Sequence, residues 1–108
     1  TGSPLREFLH VDDLAKAIVF ALENNLNEDY YNVGSGEEIS ISNLAQIIKE
    51  ITKYDGKIVW NKSKPNGTPR KLLDVSKLKN LGWQSKIDLK DGIASTYEWY
   101  LKNFNNEK

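Results

Sequence analysis

The chain has 108 residues, the size of one domain, and its 15 basic side chains are balanced by 15 acidic ones. Leucine, isoleucine, valine and phenylalanine total 29 residues, which favours a modest folded core over a disordered chain. The absence of cysteine excludes disulfides, thiolate metal sites and a cysteine nucleophile, and a single histidine, His10, excludes a polyhistidine metal site and a conventional serine triad.

No apolar run approaches the roughly 18 residues that a membrane helix needs, and no signal-peptide pattern is present. The chain contains no methionine and begins with Thr1. We therefore expect a processed protein or part of a longer one, located in the cytoplasm and without a membrane partner.

The first predicted elements are a strand and a helix. Leu5 to Leu9 has the pattern of a short strand, and the carboxylates of Asp12 and Asp13 suit the first turn of the helix that follows. The apolar face of this helix is predicted from four residues at helical spacing: Leu14, Ile18, Ala21 and Leu22. Asn24 and Asn25 are expected to end it.

A strand, a turn, a strand and a second helix are predicted next. Tyr30 to Val33 has strand character, Gly34 to Gly36 is typical of a turn, and Glu38 to Ile41 alternates as a short strand does. Ser42 is the predicted N-cap of the helix. Its apolar face is predicted from Leu44, Ile47, Ile48 and Ile51.

The second half predicts one further strand, a loop and two helices. Lys57 to Asn61 is the predicted strand, Ser63 to Thr68 the loop, and Val75 to Leu81 a short helix closed by Gly82. A long last helix is predicted from the spacing of Leu89, Ile93, Tyr97, Tyr100, Leu101 and Phe104. A polar tail over 105–108 is expected to fray. The elements together predict one small mixed α/β domain.

The neutral net charge conceals an uneven distribution. The first 50 residues hold 9 acidic and 3 basic side chains, whereas the remaining residues hold 6 acidic and 12 basic ones. Gly56 to Leu73 contains five basic residues and no acid, and such a field attracts phosphates. For lysines alone, a solvated loop is the simpler interpretation. Arg70 differs, because a planar guanidinium suits bidentate phosphate contacts.

Three other signals do not predict chemistry. Gly34 to Gly36 begins like a dinucleotide fingerprint, but Ile39 stands where the third glycine belongs and a strand follows instead of a helix. The glycosylation sequons at Asn61 and Asn66 lack a secretory signal and are interpreted as chance matches. His10 could act as a general base, but a structural hydrogen bond at the strand-to-helix junction is the favoured interpretation.

Two segments carry a resemblance to known enzymes. Arg6 to Ala15 (REFLHVDDLA) resembles a hallmark of sugar-nucleotide enzymes in the extended short-chain dehydrogenase/reductase group, the NAD-dependent epimerase/dehydratase family. Ser63 to Asp74 (SKPNGTPRKLLD) resembles the signature of the GDP-L-fucose synthase family, and Asn32 to Gly34 and Gly92 to Tyr97 agree in order and spacing. Asn66 departs from the expected aspartate, which keeps the turn and slightly raises the local positive charge.

The resemblance covers the whole chain but only the C-terminal part of such an enzyme. It implies that residues 1–108 form a C-terminal sugar-nucleotide-binding domain of small mixed α/β type, with no catalytic residue, cofactor or metal of its own. An N-terminal Rossmann domain outside this chain would bind NADP and carry the Ser, Tyr and Lys of reduction and the Cys and His of epimerisation. By analogy, Arg6 contacts the diphosphate of a GDP-sugar, Lys71 contacts the nucleotide portion, and Arg70 is a neighbouring candidate.

The same resemblance predicts the partners of the chain. The complete enzyme would dimerise through its Rossmann domain, so the 108-residue chain alone is expected to be monomeric and inactive and to bind GDP-sugars weakly.

Alternative interpretations of the two basic residues are a salt bridge from Arg6 to a nearby acid and a solvated Lys71. Two alternative functions also stay open: another sugar-nucleotide epimerase or dehydratase, and a stand-alone module that binds phosphate or nucleic acid through residues 57–71. The acidic first half disfavours nucleic acid as a partner.

Overall fold

A computed structural model of the chain describes residues 1–104, so the predicted polar tail lies outside the described residues. The described residues form two strands and four helices: β1 (Leu5–Glu7), α1 (Val11–Glu23), β2 (Glu38–Ser40), α2 (Ile41–Thr52), α3 (Ser76–Leu81) and α4 (Leu89–Phe104). The predicted mixed α/β class is confirmed. Over this range, no helix combines the length and the apolar character needed to traverse a bilayer.

Strand β1 has a neighbour along each edge. On one edge it pairs antiparallel with β2, and Arg6 lies opposite Ile39. On the other edge, Leu5 forms a parallel bridge with Arg70, and the Leu5 N–H donates to the carbonyl of Pro69 over 2.9 Å. The basic segment, Gly56 to Leu73, is therefore attached to the sheet at Arg70, two residues after the predicted loop ends at Thr68.

The ends of α2 and α3 follow ordinary capping chemistry. Ser40, two residues before the predicted Ser42, is the N-cap of α2, because its hydroxyl accepts a hydrogen bond from the Asn43 N–H over 3.1 Å. Lys53 ends α2 in the left-handed conformation, with φ of 56°. Gly82 closes α3 as predicted, with φ of 109°, a region that favours glycine.

Two predicted strands are absent from residues 1–104. Tyr30 to Val33 and Lys57 to Asn61 have no strand assignment there, and neither pairs with another strand. The predictions were wrong because an extended segment becomes a strand only where a partner backbone supplies ladder hydrogen bonds. Tyr31 and Val33 instead pack against the core, and Val59 is 78% exposed.

The core is smaller than the composition predicts. It consists of buried Ala17, Leu78 and Trp83, joining α1, α3 and the loop after α3. Partly buried side chains packed around these three are Leu9, Phe20, Tyr31 and Val33. On the predicted apolar face of α1, Leu14, Ile18 and Leu22 are exposed. No surface within residues 1–104 covers that stripe.

Helix α4 packs against α2. Leu89, Ile93 and Tyr97 are half-buried and, together with side chains of α2, line an open cleft of about 500 Å³. The predicted apolar face continues to the end of α4, where Tyr100, Leu101 and Phe104 are exposed. The Tyr100 and Phe104 rings stack on each other with centroids 5.5 Å apart.

The most buried polar group is the carboxylate of Asp13, of which 1% is exposed. It lies in the first turn of α1, as predicted, but it does not serve as a local cap. It accepts hydrogen bonds from the backbone N–H groups of Lys86, over 3.2 Å, and Ile87, over 3.0 Å. This carboxylate therefore fixes α1 to the loop that leads into α4.

Asp13→Ala should lower the free energy of unfolding by about 3 kcal/mol, because two partly buried N–H groups lose a charged acceptor. Asp12→Ala is the matched control, since that neighbouring carboxylate is exposed and should cost only about 0.5 kcal/mol through the helix dipole. Urea unfolding followed by circular dichroism measures both. Equal losses for the two variants would contradict the role assigned to Asp13.

Candidate functional site

Arg6 lies in the middle of β1 and is half-buried. Its Nη1 donates to the Leu5 carbonyl over 2.7 Å, which holds the guanidinium close to the strand. A Cβ placed on Gly67 would lie 3.7 Å from Nη2, so the guanidinium borders the basic segment. Within residues 1–104, no carboxylate lies within 4.0 Å of it, and the alternative of a salt bridge is therefore wrong.

The register of β1 divides the three predicted site residues between two faces. Arg70 lies beside Leu5, and its Nε is 2.8 Å from Oε2 of Glu38. Because the two chains run parallel, the residue after Arg70, Lys71, corresponds to the residue after Leu5, Arg6. Successive side chains point to opposite faces along extended chains. We therefore expect Lys71 on the face of β1 that carries Arg6, and Arg70 on the opposite face, where it pairs with Glu38. The bridge brings Arg70 to the edge of β1.

The rest of the basic segment is open to solvent. Every residue from 61 to 74 is exposed. Gly67 has φ of 77°, which side chains other than glycine rarely adopt, so the chain can bend beside Arg6. The Lys71 ammonium forms no hydrogen bond or ion pair with any group of residues 1–104. This face therefore offers one ordered guanidinium and one solvated ammonium to an anion.

Beyond the basic segment, hydrogen bonds hold the chain in place. The Ser76 backbone N–H and hydroxyl lower the pKa of the Asp74 carboxyl below its ordinary value. A hydrogen bond to Glu28 raises the pKa of Lys77. Asn32 donates from its side-chain amide to the Asp74 carbonyl over 3.2 Å. These contacts fix the far end of the segment against the region around Asn32.

The turn at Gly34 to Gly36 does not fit a dinucleotide. Gly36 has φ of 76°, and strand β2 follows where the fingerprint needs a helix N-terminus. Its backbone N–H is also occupied, because it donates to the Glu7 carboxylate. The prediction of a turn is confirmed, and these residues do not form a site for NADP.

Two acidic residues that the sequence analysis did not assign organise this region. Glu7 accepts from the backbone of Gly36 and, over 3.2 Å, from the Leu73 N–H. Glu38 neutralises Arg70. Glu7 stands next to Arg6 within the resembling segment, yet only the tertiary contacts distinguish its role from that of a solvated acid.

His10 has a structural role, as favoured from the sequence. It is the N-cap of α1, where Nδ1 accepts from the Asp12 N–H over 3.0 Å. Because Nδ1 accepts, Nε2 carries the proton and faces the Ser95 hydroxyl at 3.3 Å. The ring also lies against Gly92, where an added Cβ would come within 3.0 Å. Both ring nitrogens are therefore occupied by structural contacts.

Known proteins share both the sequence and the fold of this chain. The profile of the NAD dependent epimerase/dehydratase family matches residues 1–34. A putative GDP-L-fucose synthase 2 of Arabidopsis thaliana is 56% identical over 108 residues, covering all of this chain and 33% of that protein. GDP-L-fucose synthase of Escherichia coli strain K12 is 46% identical over 112 aligned residues, covering 95% of this chain and 35% of that protein.

A solved structure agrees with these matches. The GDP-L-fucose synthetase of Naegleria fowleri bound to NADP aligns with a TM-score of 0.90 and 29% identity, over 98% of this chain and 34% of that one. The chain spans about a third of the length of the relatives that it matches. It is similar to the NAD dependent epimerase/dehydratase family over residues 1–34. Among its relatives, it resembles GDP-L-fucose synthases along its whole length.

His10→Ala should lower the free energy of unfolding by about 1 kcal/mol, because the Asp12 N–H loses its cap. His10→Asn is the matched variant, since a short side-chain oxygen can accept the same hydrogen bond and should recover most of the loss. Thermal unfolding measures both variants. If His10→Asn is as unstable as His10→Ala, capping is not the main contribution of this side chain.

Proposed function

We propose that this chain is the C-terminal, GDP-sugar-binding domain of a GDP-L-fucose synthase, which epimerises and reduces GDP-4-keto-6-deoxy-mannose to GDP-L-fucose. The proposal depends on one observation above all. The 56% identity to a putative GDP-L-fucose synthase extends over all 108 residues of this chain. A cytoplasmic location and a homodimer of the complete protein stay predictions.

Arg6 and Lys71 are the proposed contacts to the nucleotide. A diphosphate carries about two negative charges and is best held by charge-assisted donors. Arg6 is already ordered by its hydrogen bond to the Leu5 carbonyl, so less side-chain entropy is lost on binding. Lys71 adds an unpaired ammonium on the same face. Arg70, which is ion-paired with Glu38, contributes to the local field and makes no direct contact.

The domain contributes positioning to the proposed reaction. Protons next to the 4-keto group are removed and returned on the opposite face, and NADPH, held by the proposed Rossmann domain, supplies the hydride that reduces the ketone. Holding the nucleotide at Arg6 and Lys71 presents the sugar to those groups and reduces the entropic cost at the reacting centre. Without the Rossmann domain and its NADPH, the 108-residue chain is expected to have no turnover.

Three physical observations support a second domain packed on this one. The radius of gyration is 16.8 Å, whereas a compact domain of this length has about 13 Å. The accessible surface is 8356 Å², against about 6,100 Å² for a compact protein of this mass. The stripe of Val11, Leu14, Ile18 and Leu22 along α1 exposes a contiguous apolar surface of the kind that marks an interface. We propose that the Rossmann domain covers this stripe.

Arg6→Ala and Lys71→Ala should each weaken the binding of GDP by about tenfold, because each removes one charge-assisted contact. Isothermal titration of the complete protein measures the affinity. Arg70→Ala is the matched control and should change it by less than about twofold, because an exposed ion pair contributes little. A loss for Arg70→Ala equal to that for Lys71→Ala would contradict the division between the two faces.

The same titration separates the alternative functions. Competition by UDP as strong as that by GDP would favour another sugar-nucleotide epimerase or dehydratase. Binding of an oligonucleotide that weakens steeply with salt would favour a nucleic-acid module.

Ile18→Gln combined with Leu22→Gln should lower the free energy of unfolding of the complete protein by about 3 kcal/mol. The reason is that polar side chains would replace apolar ones that the second domain buries. Val59→Gln is the control, since Val59 is 78% and Leu22 81% exposed in this chain, yet Val59 lies outside the α1 stripe. It should change the stability by less than about 0.5 kcal/mol. Equal effects at the two places would exclude a domain packed on α1.

A further inference from the structure

The Glu7 carboxylate joins strand β1 and the basic segment, which carry the candidate site, to the turn at Gly34 to Gly36. From β1 it accepts the backbone N–H of Gly36 in the turn, and its Oε1 accepts the Leu73 N–H over 3.2 Å. Gly34 is buried against it, and a Cβ there would come within 2.6 Å of Oε2. The proposed binding and chemistry use none of these contacts, although Glu7 is adjacent to Arg6.

Lys71 lies between two attachments of an otherwise exposed segment. Before it, the Pro69 carbonyl accepts from the Leu5 N–H over 2.9 Å. After it, the Leu73 N–H donates to Glu7. Residues 61 to 74 are all exposed, so apolar packing does not hold this stretch. The next contact along the chain is at the Asp74 carbonyl, which accepts from the Asn32 amide. Removing the Glu7 contact therefore lengthens the unattached stretch around Lys71 and loosens its position beside β1.

We propose that Glu7 is a positioning residue of the anion site, which holds Lys71 beside Arg6 without touching the ligand. This inference rests on the proposed function. Glu7 and Arg6 are adjacent along an extended strand, so their side chains point to opposite faces and the carboxylate does not compete with a phosphate. The carboxylate acts on the ligand through the backbone of Leu73.

Simple electrostatics and positioning predict opposite results. Removing a carboxylate near an anion site should tighten binding if charge alone matters. If Glu7 positions Lys71, Glu7→Gln should weaken binding, because the amide cannot accept both N–H groups as the carboxylate does. The control is Glu38→Gln, which removes a carboxylate from the position opposite Glu7 but frees Arg70 instead of the Lys71 backbone.

A double-mutant cycle on the complete protein tests the proposal, with GDP as the probe in isothermal titration. Glu7→Gln should weaken GDP binding by about fivefold, the loss expected for one weakened contact. In the Lys71→Ala background, the same change should have no weakening effect, because the group that Glu7 positions is gone. Glu38→Gln should leave the affinity unchanged or raise it.

Two results would overturn the inference: an equal loss in both backgrounds, which indicates a general structural role, or no loss in the unmodified background. If Glu7→Gln does not fold, Glu7→Asp carries the same cycle, since it keeps the charge and shortens the reach. Failure of the unmodified protein to bind GDP would refute the proposed function and this inference with it. GDP binding that is indifferent to Glu7 would refute the inference alone.

Discussion

The alternation of side chains along β1 is the constraint on which the rest of this structure depends. The strand is only three residues long, but it has a neighbour on each edge, so every side chain has a determined face. Arg6 points to the face that Lys71 shares. Glu7 points to the other, where it holds the turn and the basic segment. A shift of one residue in register would exchange these roles.

Acidic residues near the start of the chain accept structural hydrogen bonds, whereas Arg6 and Lys71 are the proposed contacts to a ligand. Glu7 and Asp13 each accept two backbone N–H groups from distant parts of the chain. A carboxylate is well suited to this, because charge-assisted hydrogen bonds to backbone donors are stronger than neutral ones. The uneven charge distribution therefore has a structural side. Glu7, from the acidic half, binds the backbone of the basic segment through the Leu73 N–H.

The helices and the two short strands β1 and β2 could be predicted from local patterns, whereas the other two predicted strands were wrong and the core was not predicted. Spacing of 3.6 residues and capping residues act within a few positions, and α3 ended at Gly82 as predicted. Tyr30 to Val33 and Lys57 to Asn61 have strand composition but no partner backbone within residues 1–104. The apolar face of α1 was identified as such, yet Leu22 is exposed, because the side chains alone do not specify which surface covers them.

The sequence by itself determined the mixed α/β class, the basic segment and the candidates Arg6, Lys71 and Arg70, since these depend on composition, short-range periodicity and motif order. Only the tertiary structure decided that Arg70 is paired with Glu38 on the face opposite Arg6 and Lys71. It likewise decided that Asp13 is a buried acceptor. The physical reason is that pairing register and long-range hydrogen bonds join residues more than 30 positions apart, where sequence spacing carries no information about direction.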